Sequence, residues 1–327
     1  MTKVNLITGF LGSGKTSTIQ HLLRQKPENE NWAILINEFG EIGIDGALLA
    51  NQGAVLKEIS GGCMCCVNGL PMQVGLNMLL KQAKPDRLLI EPTGLGHPKQ
   101  ILTMLTAEVY QPLLELQATL CLLDARNLSD PRCQTNENFR DQLAAADIIL
   151  LNKCDTYTTN DKNTFTGWYA EHGLARPFYF IEHGNIEQEL LNKPHINLSE
   201  LPAGVHHHAK TTRTDGLAAL KLPQNQNWRR ALNQGQGYTS CGWIFDADTC
   251  FSTAALLDWV RLSPVERVKG VMRIPEGTIV FNRQGLDLKI ETQPVAPVDS
   301  RVELIHNTDA DWNELQRILL KARINVA

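Results

Sequence analysis

Hydrophobic and polar positions fall in blocks along the first half of the chain. Short continuous apolar runs at Val4–Ile7, Ala33–Asn37, Arg87–Glu91, Ala118–Asp124 and Asp147–Asn152 suit strands buried on both faces. Between them, helical spacing marks Ser17–Leu23, Met72–Gln82, Asn138–Ala146 and Asn160–Glu171. Strands alternating with helices predict an α/β fold, a mostly parallel sheet covered by helices on both faces. From Glu182 the pattern loosens. Pro194, Pro202, Gly204 and the tract His206–His208 lie in a polar stretch that runs to about Asp215 and reads as a linker. The rhythm then changes: a strand at Gly242–Ala247, a helix at Phe251–Leu262, several strands between Arg267 and Glu303, and a closing helix at Asp311–Arg323. Strands clustered between two helices predict a smaller C-terminal α+β domain. The expected organisation is residues 1–185, a linker over 186–215, and a second domain over 216–327.

Between the first apolar run and the first helical stretch lies Gly9-Phe-Leu-Gly-Ser-Gly-Lys-Thr16, which fits the phosphate-binding pattern G-x-x-x-x-G-K-[ST] without a mismatch. Gly9, Gly12 and Gly14 let the backbone curl, so that N–H groups through Ser13 to Ser17 point at phosphate oxygens and the helix dipole adds positive field. Lys15 would reach the β- and γ-phosphates, and the Thr16 hydroxyl would ligate Mg²⁺. Arg87-Leu-Leu-Ile-Glu91-Pro-Thr-Gly94 has the form of the second phosphate-side strand. Glu91 is placed to hold Mg²⁺ through water, and Gly94 to present its N–H to the γ-phosphate, within a nucleotide-sensing loop Thr93–Pro98. Lys15, Thr16 and Glu91 are the expected catalytic set.

Asn152-Lys153-Cys154-Asp155 follows the apolar run Ile148–Leu151. Behind a phosphate loop, N-K-x-D selects guanine, because the Asp155 carboxylate can accept from both N1–H and the 2-amino group. Adenine would leave that carboxylate unpaired, and sites matched in this way discriminate by roughly 10⁴-fold. The expected ligands are therefore GTP and GDP. A lone N-K-x-D admits a plainer reading, with Asp155 as a helix cap.

The run Gly61-Gly62-Cys63-Met64-Cys65-Cys66 adds a second chemistry. In an extended segment Cys63 and Cys65 point to one side, and the glycines permit a turn that brings Cys66 closer. Two or three thiolates suit Zn²⁺, and also Co²⁺ or Cu⁺, far better than Mg²⁺ or Ca²⁺. No second ligand pair stands at the spacing of a closed structural zinc site, so an open, exchangeable site is expected. Asn37-Glu38-Phe39-Gly40-Glu41 falls where nucleotide switches keep their first mobile loop. Glu38 or Glu41 could complete the metal shell, touch Mg²⁺, or serve only as solvated carboxylates. His97 and His206–His208 offer further ligands, with a structural histidine and an exposed linker tract as the alternatives.

Composition narrows the setting. The 327 residues carry a formal net charge of −4, with no global pull toward nucleic acid or anionic membrane. No apolar run approaches the roughly 20 residues that span a bilayer, no signal peptide is expected, and three of eight cysteines crowd into four positions, as metal binding in a reduced cytoplasm would have it.

Together, Gly9–Thr16, Asn37–Glu41, Gly62–Cys66, Glu91–Gly94 and Asn152–Asp155 resemble the CobW-type family of P-loop GTPases, and Arg267-Val-Lys-Gly270 resembles that family's R-x-K-G segment. The resemblance covers essentially the whole chain. It implies a GTPase domain with weak hydrolysis, a smaller C-terminal domain, and Cys63, Cys65 and Cys66 as the motif for Zn²⁺ or a related metal. It also implies a metallochaperone or metal-homeostasis role, with a client metalloprotein as partner and self-association left open. Some relatives carry a glutamate directly before the Asn-Glu pair, where this chain has Ile36. No arginine is assignable to the transferring phosphoryl group, so slow turnover is expected. The alternatives are a GTP-gated zinc buffer or sensor without delivery, and a small-molecule P-loop kinase.

Overall fold

A computed structural model of the chain describes residues 1–37, 54–59, 70–94, 97–172, 175–196, 222, 226–235, 238–285, 287–307 and 310–324. These fall into two compact units, the first ending within the described residues at 196 and the second beginning at 222.

The first unit is built on an eight-stranded sheet. Its strands are β1 (Thr2–Gly9), β2 (Trp32–Asn37), β3 (Val55–Ile59), β4 (Arg87–Glu91), β5 (Leu114–Leu116), β6 (Leu120–Leu123), β7 (Ile148–Leu151) and β8 (Phe178–Phe180). They run in the order β3-β2-β4-β1-β6-β7-β8, with β5 beside β1 and every pairing parallel. β5 and β6 lie end to end along one flank of β1, Leu116 opposite Val4 and Leu120 opposite Ile7. The helices are α1 (Lys15–Arg24), α2 (Leu70–Ala83), α3 (Pro98–Leu105), α4 (Pro131–Thr135), α5 (Glu137–Ala144) and α6 (Thr159–Glu171). Alternate strand residues feed opposite faces. Ile7, Ile34, Ile36 and Leu89 pack with Ile19 and Leu22 of α1. Leu6, Leu35, Leu88 and Ile90 pack with Met72, Leu76 and Leu79 of α2 and Ile101 of α3. Burial on both faces explains why these strands read as unbroken apolar runs.

All five predicted strands are present. β5 and β8 are three residues long, too short to show a periodicity, and α3 begins at Pro98, the last residue of the predicted sensing loop. The linker expected from residue 186 requires correction. Ile186, Leu190 and Leu191 are buried against the sheet. Arg87 donates to Asn5 Oδ1 at 2.5 Å and to the Leu191 carbonyl at 3.2 Å, and Asp147 accepts from the Ile196 N–H at 2.9 Å. Two adjacent leucines over a sheet face, with the Leu191 carbonyl satisfied by buried Asn5 and Arg87, outweigh the polar composition around them. Residues 186–196 therefore belong to the first unit. The remainder of the expected linker, including His206–His208, lies outside the described residues.

The second unit contains β9 (Trp228–Gly235), β10 (Tyr238–Phe245), β11 (Cys250–Phe251), β12 (Arg267–Ile274), β13 (Gly277–Gln284), β14 (Asp287–Gln293), β15 (Ser300–His306) and β16 (Arg323–Ile324), with helices α7 (Thr253–Leu262) and α8 (Trp312–Lys321). Six strands form an antiparallel sheet ordered β14-β13-β12-β15-β10-β9, and β11 pairs with β16. One face buries Trp243, Phe245, Phe281 and Val302 against Trp259 of α7 and Leu319 of α8. Phe251 is a strand residue; the helix begins after it because the Ser252 side chain accepts from the Ala255 N–H. In the R-x-K-G segment, a Cβ on Gly270 would lie 2.4 Å from the Phe281 ring, so only glycine fits under it. Among the described residues, no helix is long and apolar enough to cross a membrane.

Candidate nucleotide site and the approach to the metal motif

The central strand β1 delivers Gly9 to the carboxyl edge of the sheet, where ligands bind in open α/β folds. The chain then turns through Gly12 and Gly14, both at positive φ, before α1 starts at Lys15. Gly14, at φ +100°, faces Asn152: a Cβ there would stand 2.2 Å from the Asn152 amide nitrogen. The first turn of α1 holds no acidic residue, so its positive end is left for an anion. Lys15 is buried, and its ammonium group donates to the carbonyls of Gly9 at 2.9 Å and Phe10 at 3.3 Å, reaching back over the loop. That is the position from which it can meet β- and γ-phosphates.

Thr16 donates its hydroxyl to Glu91 Oε1 at 3.1 Å. Glu91 ends β4, the strand beside β1, and is only 3% exposed. A buried carboxylate and a hydroxyl joined at the mouth of a phosphate loop fit a hard divalent cation with oxygen ligands, so these two residues would hold Mg²⁺. Gly94 sits against the phosphate loop itself, where a Cβ would come within 3.0 Å of the Leu11 backbone nitrogen.

The Asn152–Asp155 segment is fastened from three directions. Asn152 donates to the Ser13 carbonyl at 2.8 Å and accepts from the Gly184 N–H at 3.0 Å, so one side chain ties the phosphate loop to the turn after β8. Tyr157 donates to the Asn152 carbonyl at 2.5 Å and accepts from the Ala125 N–H at 2.8 Å. Burial, above all, raises its phenol pKa, so the donor is kept. Lys153 adopts a left-handed backbone at φ +65°, and its ammonium group lies 3.3 Å from the buried carboxylate of Asp124, which Arg126 also clasps. Asp155 follows in a short 3₁₀ turn, Cys154–Thr156. Ser17 lies in the first turn of α1.

The fold therefore brings Gly9 through Ser17, Glu91, Gly94 and Asn152–Asp155 to one edge. Asp124, Tyr157, Gln142 and the turn Glu182–Gly184 were not expected. Only Asp124 left a trace in the sequence, as a carboxylate closing a buried apolar run.

Glu38, Glu41, Cys63, Cys65 and Cys66 lie outside the described residues. Their points of departure do not. β2 and β3 are adjacent, with Asn37 opposite Ile59, and Ile36 of β2 lies opposite Glu91 of β4. Both segments thus leave the edge that holds Glu91. Ile36 is fully buried in the core, so the position where some relatives carry glutamate cannot ligate here. Among the described residues, no group of three or more His, Cys, Asp or Glu side chains could hold a metal. Burial pushes the thiols of Cys121, Cys133 and Cys241 up to about 12, which keeps them protonated and poor as ligands near neutral pH.

Comparison with known proteins agrees with this geometry. Residues 3–173 match the CobW/HypB/UreG nucleotide-binding domain, and residues 240–323 match the C-terminal domain of the cobalamin synthesis protein cobW. The chain is 64% identical to the zinc chaperone YeiR of Escherichia coli (strain K12), over 99% of each chain. It is 32% identical to the zinc chaperone YjiA of the same organism, over 58% of this chain and 60% of that one. It is 31% identical to the zinc chaperone CobW of Pseudomonas aeruginosa, over 46% and 48%. With the phosphate loop, Glu91 and Asn152–Asp155 assembled at one sheet edge and both domain matches in chain order, this protein belongs to the CobW/HypB/UreG family of nucleotide-binding proteins.

Proposed function

We propose that this chain is a GTP-hydrolysing zinc chaperone that binds Zn²⁺ at Cys63, Cys65 and Cys66 and transfers it to a client metalloprotein in step with its nucleotide state. The observation that carries the reading is topological. The segments bearing Glu38–Glu41 and Cys63–Cys66 follow adjacent strand ends at the sheet edge that holds Glu91, the first from β2 next to β4 and the second from β3 one strand further out, so a change at the Mg²⁺ and γ-phosphate position is expected to reach both. The relatives named as zinc chaperones support zinc as the cargo.

In this reading Gly9, Gly12, Ser13, Gly14 and Ser17 cradle the phosphates, Lys15 bridges the β- and γ-phosphates, and Thr16 with Glu91 holds Mg²⁺. Gly94 meets the γ-phosphate, while Asn152, Lys153 and Asp155 frame the guanine. Glu38 and Glu41 are available to complete the zinc shell, and Co²⁺ or another divalent transition metal would suit the same thiolates. Unassisted hydrolysis is expected at about 10⁻⁴–10⁻² s⁻¹.

Coupling of this kind is reciprocal: if GTP tightens zinc tenfold, zinc tightens GTP tenfold. Zinc is titrated into reduced protein with GDP or a non-hydrolysable GTP analogue, in parallel with a variant carrying Cys63→Ala, Cys65→Ala and Cys66→Ala. The parent should bind zinc with nucleotide-dependent affinity, and the triple variant should lose that binding while keeping GDP. Zinc binding unaltered by the three substitutions would refute the assignment.

A further inference from the structure

Helix α5 touches the nucleotide machinery at three places, although nothing in its sequence resembles a nucleotide motif. Phe139 packs edge-on against Phe10 of the phosphate loop, with ring centroids 6.2 Å apart. Gln142 donates its amide to the Gly94 carbonyl at 2.9 Å, inside the protein and 1% exposed. Asp141 pairs with the His97 ring at 2.6 Å. Two consecutive residues of one helix thus hold the chain on both sides of positions 95–96. Gly94 has no slack on its other side, because it lies against the backbone of Leu11. Whatever moves or orders Gly94 must therefore either keep the Gln142 bond or break it in a dry setting, where an unmade bond is costly.

We propose that Gln142 is a positioning residue for the γ-phosphate: its amide holds the Gly94 peptide in the attitude that accepts a nucleoside triphosphate, with Asp141 fastening the far end of the loop through His97. The inference rests on the reading of Gly94 as the γ-phosphate contact. It goes beyond it by assigning discrimination between triphosphate and diphosphate to a side chain that touches neither. A side chain serving only to satisfy a buried carbonyl would affect both nucleotides through stability. A positioning side chain affects the triphosphate selectively.

The full-length chain is compared with Gln142→Met, which keeps the shape and removes the donor, and with Gln142→Glu, which sets an acceptor against the Gly94 carbonyl. Asp141→Asn, at a half-exposed position, serves if the buried changes impair folding. Gly94→Ala tests the underlying reading. Affinity for Mg²⁺·GDP, affinity for a Mg²⁺-bound non-hydrolysable GTP analogue, single-turnover hydrolysis and thermal midpoint are measured for each. We expect GDP affinity within about twofold of the parent in the Gln142 variants, and analogue affinity weakened roughly tenfold, the scale of one buried hydrogen bond. Hydrolysis should fall in parallel, with a smaller loss of the same pattern in Asp141→Asn. Equal weakening of both nucleotides, or unchanged analogue affinity in a folded Gln142→Met protein, overturns the proposal. If Gly94→Ala selectively weakens the analogue while the Gln142 variants do not, the reading of Gly94 stands and the inference fails. If a folded Gly94→Ala protein binds the analogue as tightly as the parent, that reading fails and takes the inference with it.

Discussion

Asn152 and Asp155 stand three positions apart in one motif and act by different physics. Asn152 is a brace, joining the Ser13 carbonyl to the Gly184 N–H. Asp155, in the turn that follows, is the carboxylate proposed above to tell guanine from other bases. Asp155→Asn should therefore exchange guanine for xanthine preference with little change in folding. Competition between GTP and xanthosine triphosphate measures this, and an unchanged preference for GTP would remove Asp155 from the base site. The motif itself was visible in the sequence because its residues are contiguous. The partners of Asn152 were not: Ser13 and Gly184 lie 139 and 32 positions away, and only the sheet order brings them together.

At the scale of single elements, α6 shows how a helix without a strong apolar stripe is fixed in place. Thr158 and Asp161 form a reciprocal cap, Asp161 N–H to the Thr158 hydroxyl and Thr158 N–H to the Asp161 carboxylate at 2.7 Å. Phe165 and Trp168 then bury the inner face. The Thr158 hydroxyl, and after it the Thr158 N–H, hold the Asp161 carboxyl below its ordinary 3.8. A depressed carboxyl contributes stability that is complete above its unfolded pKa and is lost as pH falls through the folded one. Thr158→Ala should cost about 1 kcal/mol at pH 7, and the gap from the parent should narrow in acid below about pH 4. Urea unfolding at pH 7 and pH 3 decides it. A gap that widens in acid would show that Asp161 is not the partner that matters.

For the whole molecule, the boundary between units is a question of burial. Residues 186–196 look like linker by composition, yet Leu191 is fully buried and its carbonyl is bound by Arg87 and Asn5. Leu191→Ala should destabilise the first unit by about 2–5 kcal/mol, as for other fully buried leucines. A loss below about 0.5 kcal/mol, the range of surface changes, would restore these residues to the linker. The second unit has its own core of Trp243, Trp259, Phe281 and Leu319.

What the chain's order of residues determined unaided is local. A strand that must be buried on both faces is apolar throughout, a phosphate loop needs glycines and a lysine at set offsets, and a guanine motif needs its carboxylate two places after its lysine. Each of these constraints acts within a few neighbouring positions, so each leaves a pattern that can be seen without coordinates. Tertiary structure alone decided which distant groups meet: Gln142 on Gly94, Asp124 on Lys153, Asn5 and Arg87 on Leu191, and Ile36 at the end of β2 opposite Glu91. Those contacts depend on strand order and on buried polar groups finding partners across the sheet. A hydrogen bond between residues many positions apart imposes no spacing on the sequence, and so leaves no periodicity to read.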